Sequence, residues 1–286
     1  EAVAETSDEL MEKFFEGEAF TQKELIDGIH NGMNRGIITP VVCTSASELA
    51  GIDMLLKEIE LLLPSPCEVY APEAYNPAKE VIETHCSLSE PLAYVFKTIA
   101  DPFVGKMSMI RVMSGKLEAN SEVLNATTGA AEKIGKLYNL CGKKQTEVSC
   151  ACAGDIVVAS KISANTGDTL STASRIIEFP QMEFPRPCYS MAVKAKTQGD
   201  EAKISASMQR LTEEDPTLTY TQDEDTKEQI LSGLGEQHIE VAAAKLKSKF
   251  GVEVNLSVPK IAYKETIRKE ANVDHKYSRQ SGGKGQ

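Results

Sequence analysis

Four groups of residues in this sequence are of types that can do chemistry. The first is the run SRQSGGKGQ, residues 278–286, with Gly282, Gly283 and Gly285 around Lys284. Glycines free backbone N–H groups and a lysine answers phosphate, but a phosphate loop also needs a Ser or Thr hydroxyl for magnesium and a strand-loop-helix frame. Gly285 stands where the hydroxyl should be and no helix follows in this sequence, so a Gly-rich tail is the plain reading. The second group is Glu213-Glu214-Asp215 before Pro216. Paired carboxylates suit acid–base work, yet a charged helix end before a turn explains them as well, because proline disfavours helix in the residue ahead of it.

Histidines and cysteines make up the other two groups. His30, His85, His238 and His275 share no local metal-ligand spacing, and His238, near a helix start behind Gly235-Glu236, is expected to make a structural hydrogen bond. Seven cysteines at irregular spacing, with no C-x-x-C pair, argue for reduced thiols of a cytoplasmic protein over a disulfide framework. Cys150 and Cys152 share one strand face and are expected to be buried and inert. No Ser/His/Asp arrangement is readable. The chain therefore reads as a scaffold with joints and no catalytic centre of its own.

Three kinds of element must carry these residues. DELMEKFFE before Gly17, the capping box Thr21-Gln22-Lys23-Glu24 and GIDMLLKEIELLLPSP predict three helices, the last with Ile52, Leu55, Ile59 and Leu62 on one stripe. Between them IITPVVCTS, residues 37–45, has the β-branched character of a parallel strand buried on both faces. Such a strand needs neighbours that the sequence does not supply, so residues 1–64 are expected to be the C-terminal remnant of a larger α/β domain. Residues 65–91 are a proline-rich connector. Residues 92–178 alternate short strands with Gly and Asp/Asn turns and predict a β-barrel. After a linker at 179–187, residues 188–268 read β-α-β-β-α-β, the ferredoxin-like order. Residues 269–286 begin a further, truncated domain.

Charge is unevenly spread. The net charge is −11, but residues 1–64 carry 13 acids against 4 bases while residues 260–286 carry 7 bases against 3 acids. The end bearing the glycines is the basic end of an acidic chain, and no run approaches the roughly 20 apolar residues of a membrane-spanning helix.

The joints carry a resemblance. RLTEEDPTLTYTQDEDTKEQILSGLGEQHIEV with VPKIAYKETIRK resembles the third domain of the elongation factor G family. DPFVGKMSMIRVMSG with AGDIVV and NTGDTL resembles its second domain, a barrel, and AETSDELMEKFFEGE with TPVVCTSAS the end of its GTPase domain. The resemblance implies a multi-domain α+β fold and a parent GTPase that binds GTP with magnesium and drives tRNA and mRNA through the ribosome. It implies a guanine loop at Thr44, Ser45 and Ala46, where the family commonly has Gly for Thr44. It also implies an RNA-facing tip at Ser281, Gly282, Gly283, Lys284, Gly285 and Gln286, where the family usually has Arg for Lys284. Ribosomal RNA and proteins would be the partners, with no membrane, and the protein a monomer. Its phosphate loop and magnesium ligands would lie upstream, leaving this chain inactive with no tightly bound cofactor. Alternatives on the same scaffold are a ribosomal-protection factor, a second elongation-factor-G-like paralogue, or a non-enzymatic ribosome-binding module.

Overall fold

The computed structural model describes residues 1–69, 72–142, 144–197 and 199–276, so the expected RNA-facing tip at 281–286 lies outside the described residues. After a 3₁₀ turn at Ala4–Thr6, helix α1 (Asp8–Glu16) starts where Ser7 accepts the Leu10 N–H and stops at Gly17, which takes the left-handed conformation at φ 75°. Helix α2 (Gln22–Asn34) opens on the expected capping box, Thr21 accepting the Glu24 N–H and Glu24 accepting the Thr21 N–H at 2.8 Å. The Lys13 ammonium also sits 2.6 Å from Glu24 and, with the Thr21 donors, holds that carboxyl down at about 2. Helix α3 (Ile52–Leu62) follows, but of its expected apolar stripe only Leu62 is buried.

Residues 37–45 correct the sequence reading. They form no strand: Val41 is 86% exposed, and the nearest approach to a ladder is an isolated bridge between Ser45 and Ala50. A parallel strand is held by neighbours on each side, and among the described residues none lies beside this run.

The connector contains a small hairpin, β1 (Ala74–Tyr75) and β2 (Val81–Ile82), which is docked by paired backbone bonds between Tyr75 and Glu178 at 2.8 and 2.9 Å. Ala74 packs with Leu92, Ile177 and Phe179 in a satellite core beneath it.

Ten strands build the barrel: β3 (Leu92–Asp101), β4 (Gly105–Ser114), β5 (Lys116–Glu118), β6 (Glu122–Asn125), β7 (Ala131–Lys133), β8 (Leu137–Cys141), β9 (Lys144–Val148), β10 (Cys150–Cys152), β11 (Ile156–Ser160) and β12 (Thr169–Ser171). Eight pair antiparallel in the order β7-β6-β12-β3-β4-β11-β8-β9, and β5 pairs with β10. The sheet curls around one core in which Val95, Ile110, Leu117, Ile134, Leu137 and Leu170 are fully enclosed. Each such side chain contributes roughly 1.5–3 kcal/mol over exposure, so this core outweighs the short ladders.

The cysteine expectations fail twice. Ala151, not its neighbours, faces the core, leaving Cys150 half-buried and Cys152 exposed. Two-residue periodicity says which residues share a face, not which face is inward. Cys67 and Cys86 are joined in a disulfide, where reduced thiols were expected.

The third unit has the expected β-α-β-β-α-β order: β13 (Tyr189–Ala195), α4 (Glu201–Glu214), β14 (Thr219–Gln222), β15 (Gln229–Gly233), α5 (Glu236–Phe250) and β16 (Val254–Ser257). Its antiparallel sheet runs β14-β15-β13-β16. Met208, Leu211, Ile239 and Leu246 from the two helices close over Leu231 and Val193.

Candidate nucleic-acid interface and interdomain joint

Thr44, Ser45 and Ala46 lie on an exposed turn ahead of α3. The Ser45 N–H donates to the Ala50 carbonyl at 2.9 Å, while the Ala46 N–H has no partner among the described residues. The turn closes at Gly51, whose φ is 74° and where a Cβ would stand 2.8 Å from the Cys43 carbonyl oxygen. Glycine is required there on both counts. What the turn can do chemically is present one backbone donor flanked by small side chains.

A second surface is built at the tip of the β3–β4 hairpin. Asp101 accepts the N–H groups of Phe103 and Val104, both at 2.8 Å, and Gly105 at φ 89° lets the chain reverse. That turn holds Phe103 96% exposed. Beside it, Lys133, Lys136, Lys161 and Tyr138 from three other segments line an open groove of about 610 Å³. Glu147 neutralises Lys136 at 2.8 Å; Lys133 and Lys161 have no acidic partner among the described residues. Spare lysines with aromatic rings beside them match the phosphate-plus-stacking chemistry of nucleic-acid binding.

Glu213-Glu214-Asp215 is no catalytic pair. Glu214 ends α4 and reaches across to the barrel, accepting the Ala100 N–H of β3 at 3.0 Å. Lys249 and Lys245 of α5 approach the same carboxylate at 2.7 and 3.1 Å, and Lys249 also reaches the Ala100 carbonyl. Burial pushes the Glu214 carboxyl up, but Lys249, the Ala100 N–H and Lys245 together bring it below its ordinary value. Asp215 caps the helix and binds His238 Nε2 at 2.9 Å, while His238 Nδ1 accepts the Leu234 N–H at 3.1 Å. Because Nδ1 accepts, the neutral ring carries its proton on Nε2 and donates it to Asp215. This is the structural role expected of His238.

The chain matches the family model described as Elongation factor G domain 2 over residues 90–173 and that described as Elongation Factor G, domain III over residues 184–258. It is 41% identical, over its whole length, to the elongation factor G of Fervidobacterium nodosum. The chain belongs to the elongation factor G family. It spans 42% of the length of that relative. A crystal structure from Thermus thermophilus superposes with a TM-score of 0.72 at 32% identity, covering 91% of this chain and 37% of that one. Within this family member, the β3–β12 barrel lies in the domain 2 match and the β13–β16 unit in the domain III match.

Thr44, Ser45 and Ala46 were expected between a buried strand and a helix; the structure has no strand at 37–45 and has them on the turn ahead of α3. Sequence reasoning missed the barrel groove and the Glu214 joint. The only local signal for the groove was the DPFVG turn, because its lysines come from separate segments. The joint had none, since Ala100 and Glu214 are 114 residues apart.

Proposed function

We propose that the whole protein is a ribosomal translocation factor of the cytoplasm, a GTPase coupling GTP hydrolysis to movement of tRNA and mRNA during protein synthesis. The observation that carries this reading is 41% identity to an elongation factor G over the whole length of the chain. In it, the barrel docks on small-subunit RNA through the Phe103, Lys133 and Lys161 groove. The β13–β16 unit passes the nucleotide state between the GTPase domain and the distal arm, and Lys284 with its glycines faces RNA at the decoding centre. The protein acts as a monomer on ribosomal RNA and proteins.

Thr44–Ala46 would meet guanine, with the Ala46 N–H directed to the base's carbonyl oxygen. The residues present fit only that edge of a nucleotide. A phosphate loop is not readable in this sequence, and for this chain alone the proposal is that it neither binds GTP tightly nor hydrolyses it.

Three measurements test the reading. Titration of fluorescent GTP onto the chain should show no micromolar binding. Lys133→Ala with Lys161→Ala should weaken binding to small-subunit RNA and lower the slope of log affinity against log salt by about one for each phosphate no longer neutralised; an unchanged slope would remove the groove from the mechanism. For the complete protein, a translocation assay decides the activity, and its absence would leave a paralogue on the same scaffold.

A further inference from the structure

We propose that Cys67 and Cys86 are a reversible thiol–disulfide modification site that clasps the connector between the helical segment and the barrel. Their Cα atoms are 5.4 Å apart across a separation of 19 residues, inside the window a disulfide requires. The other cysteines described, Cys43, Cys141, Cys150, Cys152 and Cys188, are free, so the pairing is selective.

What surrounds the pair shows what it ties. Before Cys67, His30 Nδ1 donates to the Leu62 carbonyl at 3.0 Å, and Pro66 packs so tightly on the barrel turn at Gly154 that a Cβ there would meet it at 2.5 Å. After Cys86, Ser114 Oγ donates to the Glu90 carbonyl at 3.0 Å, and the Ser89 and Glu90 carbonyls lie under Gly115. Between them the β1–β2 hairpin is docked on Glu178. The disulfide makes a covalent path that bypasses this hairpin, so the tether between α3 and β3 is short while the bond is closed and long once it opens. A hinge with two tether lengths follows.

The chemistry is an exchange with a low-molecular-weight or protein disulfide, R–S–S–R. Cys67 is the more exposed of the two and Cys86 half-buried, so the Cys67 thiolate attacks first, forming a mixed disulfide and releasing R–S⁻. The Cys86 thiolate then attacks Cys67 Sγ, closing the protein bond and releasing the second R–S⁻, and both thiol protons end on the released thiolates. Two electrons pass from the cysteines to one R–S–S–R, and a dithiol reverses the step. In the cytoplasm proposed above, an exposed disulfide of this kind belongs to the labile, regulatory class.

The test uses the 286-residue chain equilibrated in glutathione/glutathione disulfide mixtures, quenched by alkylation and digested with trypsin. Cleavage after Lys57, Lys79 and Lys97 puts Cys67 and Cys86 on adjacent peptides with no other cysteine in either. The expected result is one linked species in oxidising mixtures and two alkylated peptides in reducing ones. Two separate peptides throughout, or linkage to any other cysteine, would overturn the site. Hydrogen exchange over residues 72–91 should be severalfold faster in the reduced chain, and a Cys67→Ser/Cys86→Ser variant should exchange at the reduced rate whatever the oxidant. Equal rates in oxidised and reduced chain would overturn the hinge while leaving the translocation reading untouched.

Discussion

Replacing Glu214 by Ala should open the joint between the barrel and the β13–β16 unit. The Glu214 side chain is only 11% exposed and holds three donors, the Ala100 N–H and the two ammonium groups of Lys245 and Lys249. The lysines are 39% and 30% exposed, so without their partner they rehydrate, and their share is that of partly exposed ion pairs, about 1 kcal/mol or less each. Ala100 is buried, and stranding its N–H costs roughly 1–3 kcal/mol. The sum is about 2 kcal/mol, or about 30-fold in the opening equilibrium of the joint. Native-state hydrogen exchange at the Ala100 amide reads this directly, with the β3–β4 ladder amides as internal controls. Glu214→Gln keeps an acceptor for that N–H and should cost under about 1 kcal/mol. Unchanged exchange at Ala100 in Glu214→Ala, or an equal effect in Glu214→Gln, would refute the argument.

The same interaction sets a pH dependence. The folded-state pKa of Glu214 lies below its ordinary 4.5. Its contribution is therefore fully present above pH 4.5 and is lost as the pH falls through the lower folded value. Protection at Ala100 should fall on acidification in the native chain and stay flat across that range in Glu214→Gln.

Two further substitutions probe backbone and capping. Gly115→Ala places a Cβ 2.5 Å from the Glu90 carbonyl oxygen at φ 61°, whereas Gly129→Ala, at φ 74°, meets nothing within 4 Å. The first should cost roughly 3 kcal/mol and the second about 1 kcal/mol, so equal shifts in the urea midpoint by circular dichroism would mean that the close crossing is not rigid. His238→Ala strands the Leu234 N–H and one Asp215 oxygen and should destabilise the β13–β16 unit by about 1–2 kcal/mol; an unmoved melting temperature would deny His238 its structural part.

How much of this was legible depended on range. The end of α1 and the start of α2 were readable because their signals are local: Gly17 and the Thr21/Glu24 box each act within four residues. The β-α-β-β-α-β order was readable from a change of apolar period. Residues 37–45 were misread because β-branched composition marks a strand only when neighbours exist to pair with it. The Cys150/Cys152 face came out inverted because Ala151 fills the core between Leu117 and its surroundings, a fact of register with β5. The Cys67–Cys86 bond and the Glu214–Ala100 hydrogen bond join residues that the chain alone does not bring together.

The energies imply an order of events. Among the described residues, the hydrogen bonds and ion pairs between the barrel and the β13–β16 unit converge on Glu214, Lys249 and Ala100. Their combined worth, about 2 kcal/mol, is a small part of the roughly 5–15 kcal/mol that stabilises a domain. Each unit also has a closed core of its own, one around Ile110 and Leu137, the other around Met208 and Leu231. A force that separates the two units therefore breaks the Glu214 hydrogen bonds well before it opens either core, and the units move as rigid bodies. Glu214→Ala should then free that motion without loosening the cores, so exchange protection at Ile110 and Leu231 should hold while that at Ala100 falls. A concerted fall in protection at all three positions would mean that barrel and neighbour unfold as one.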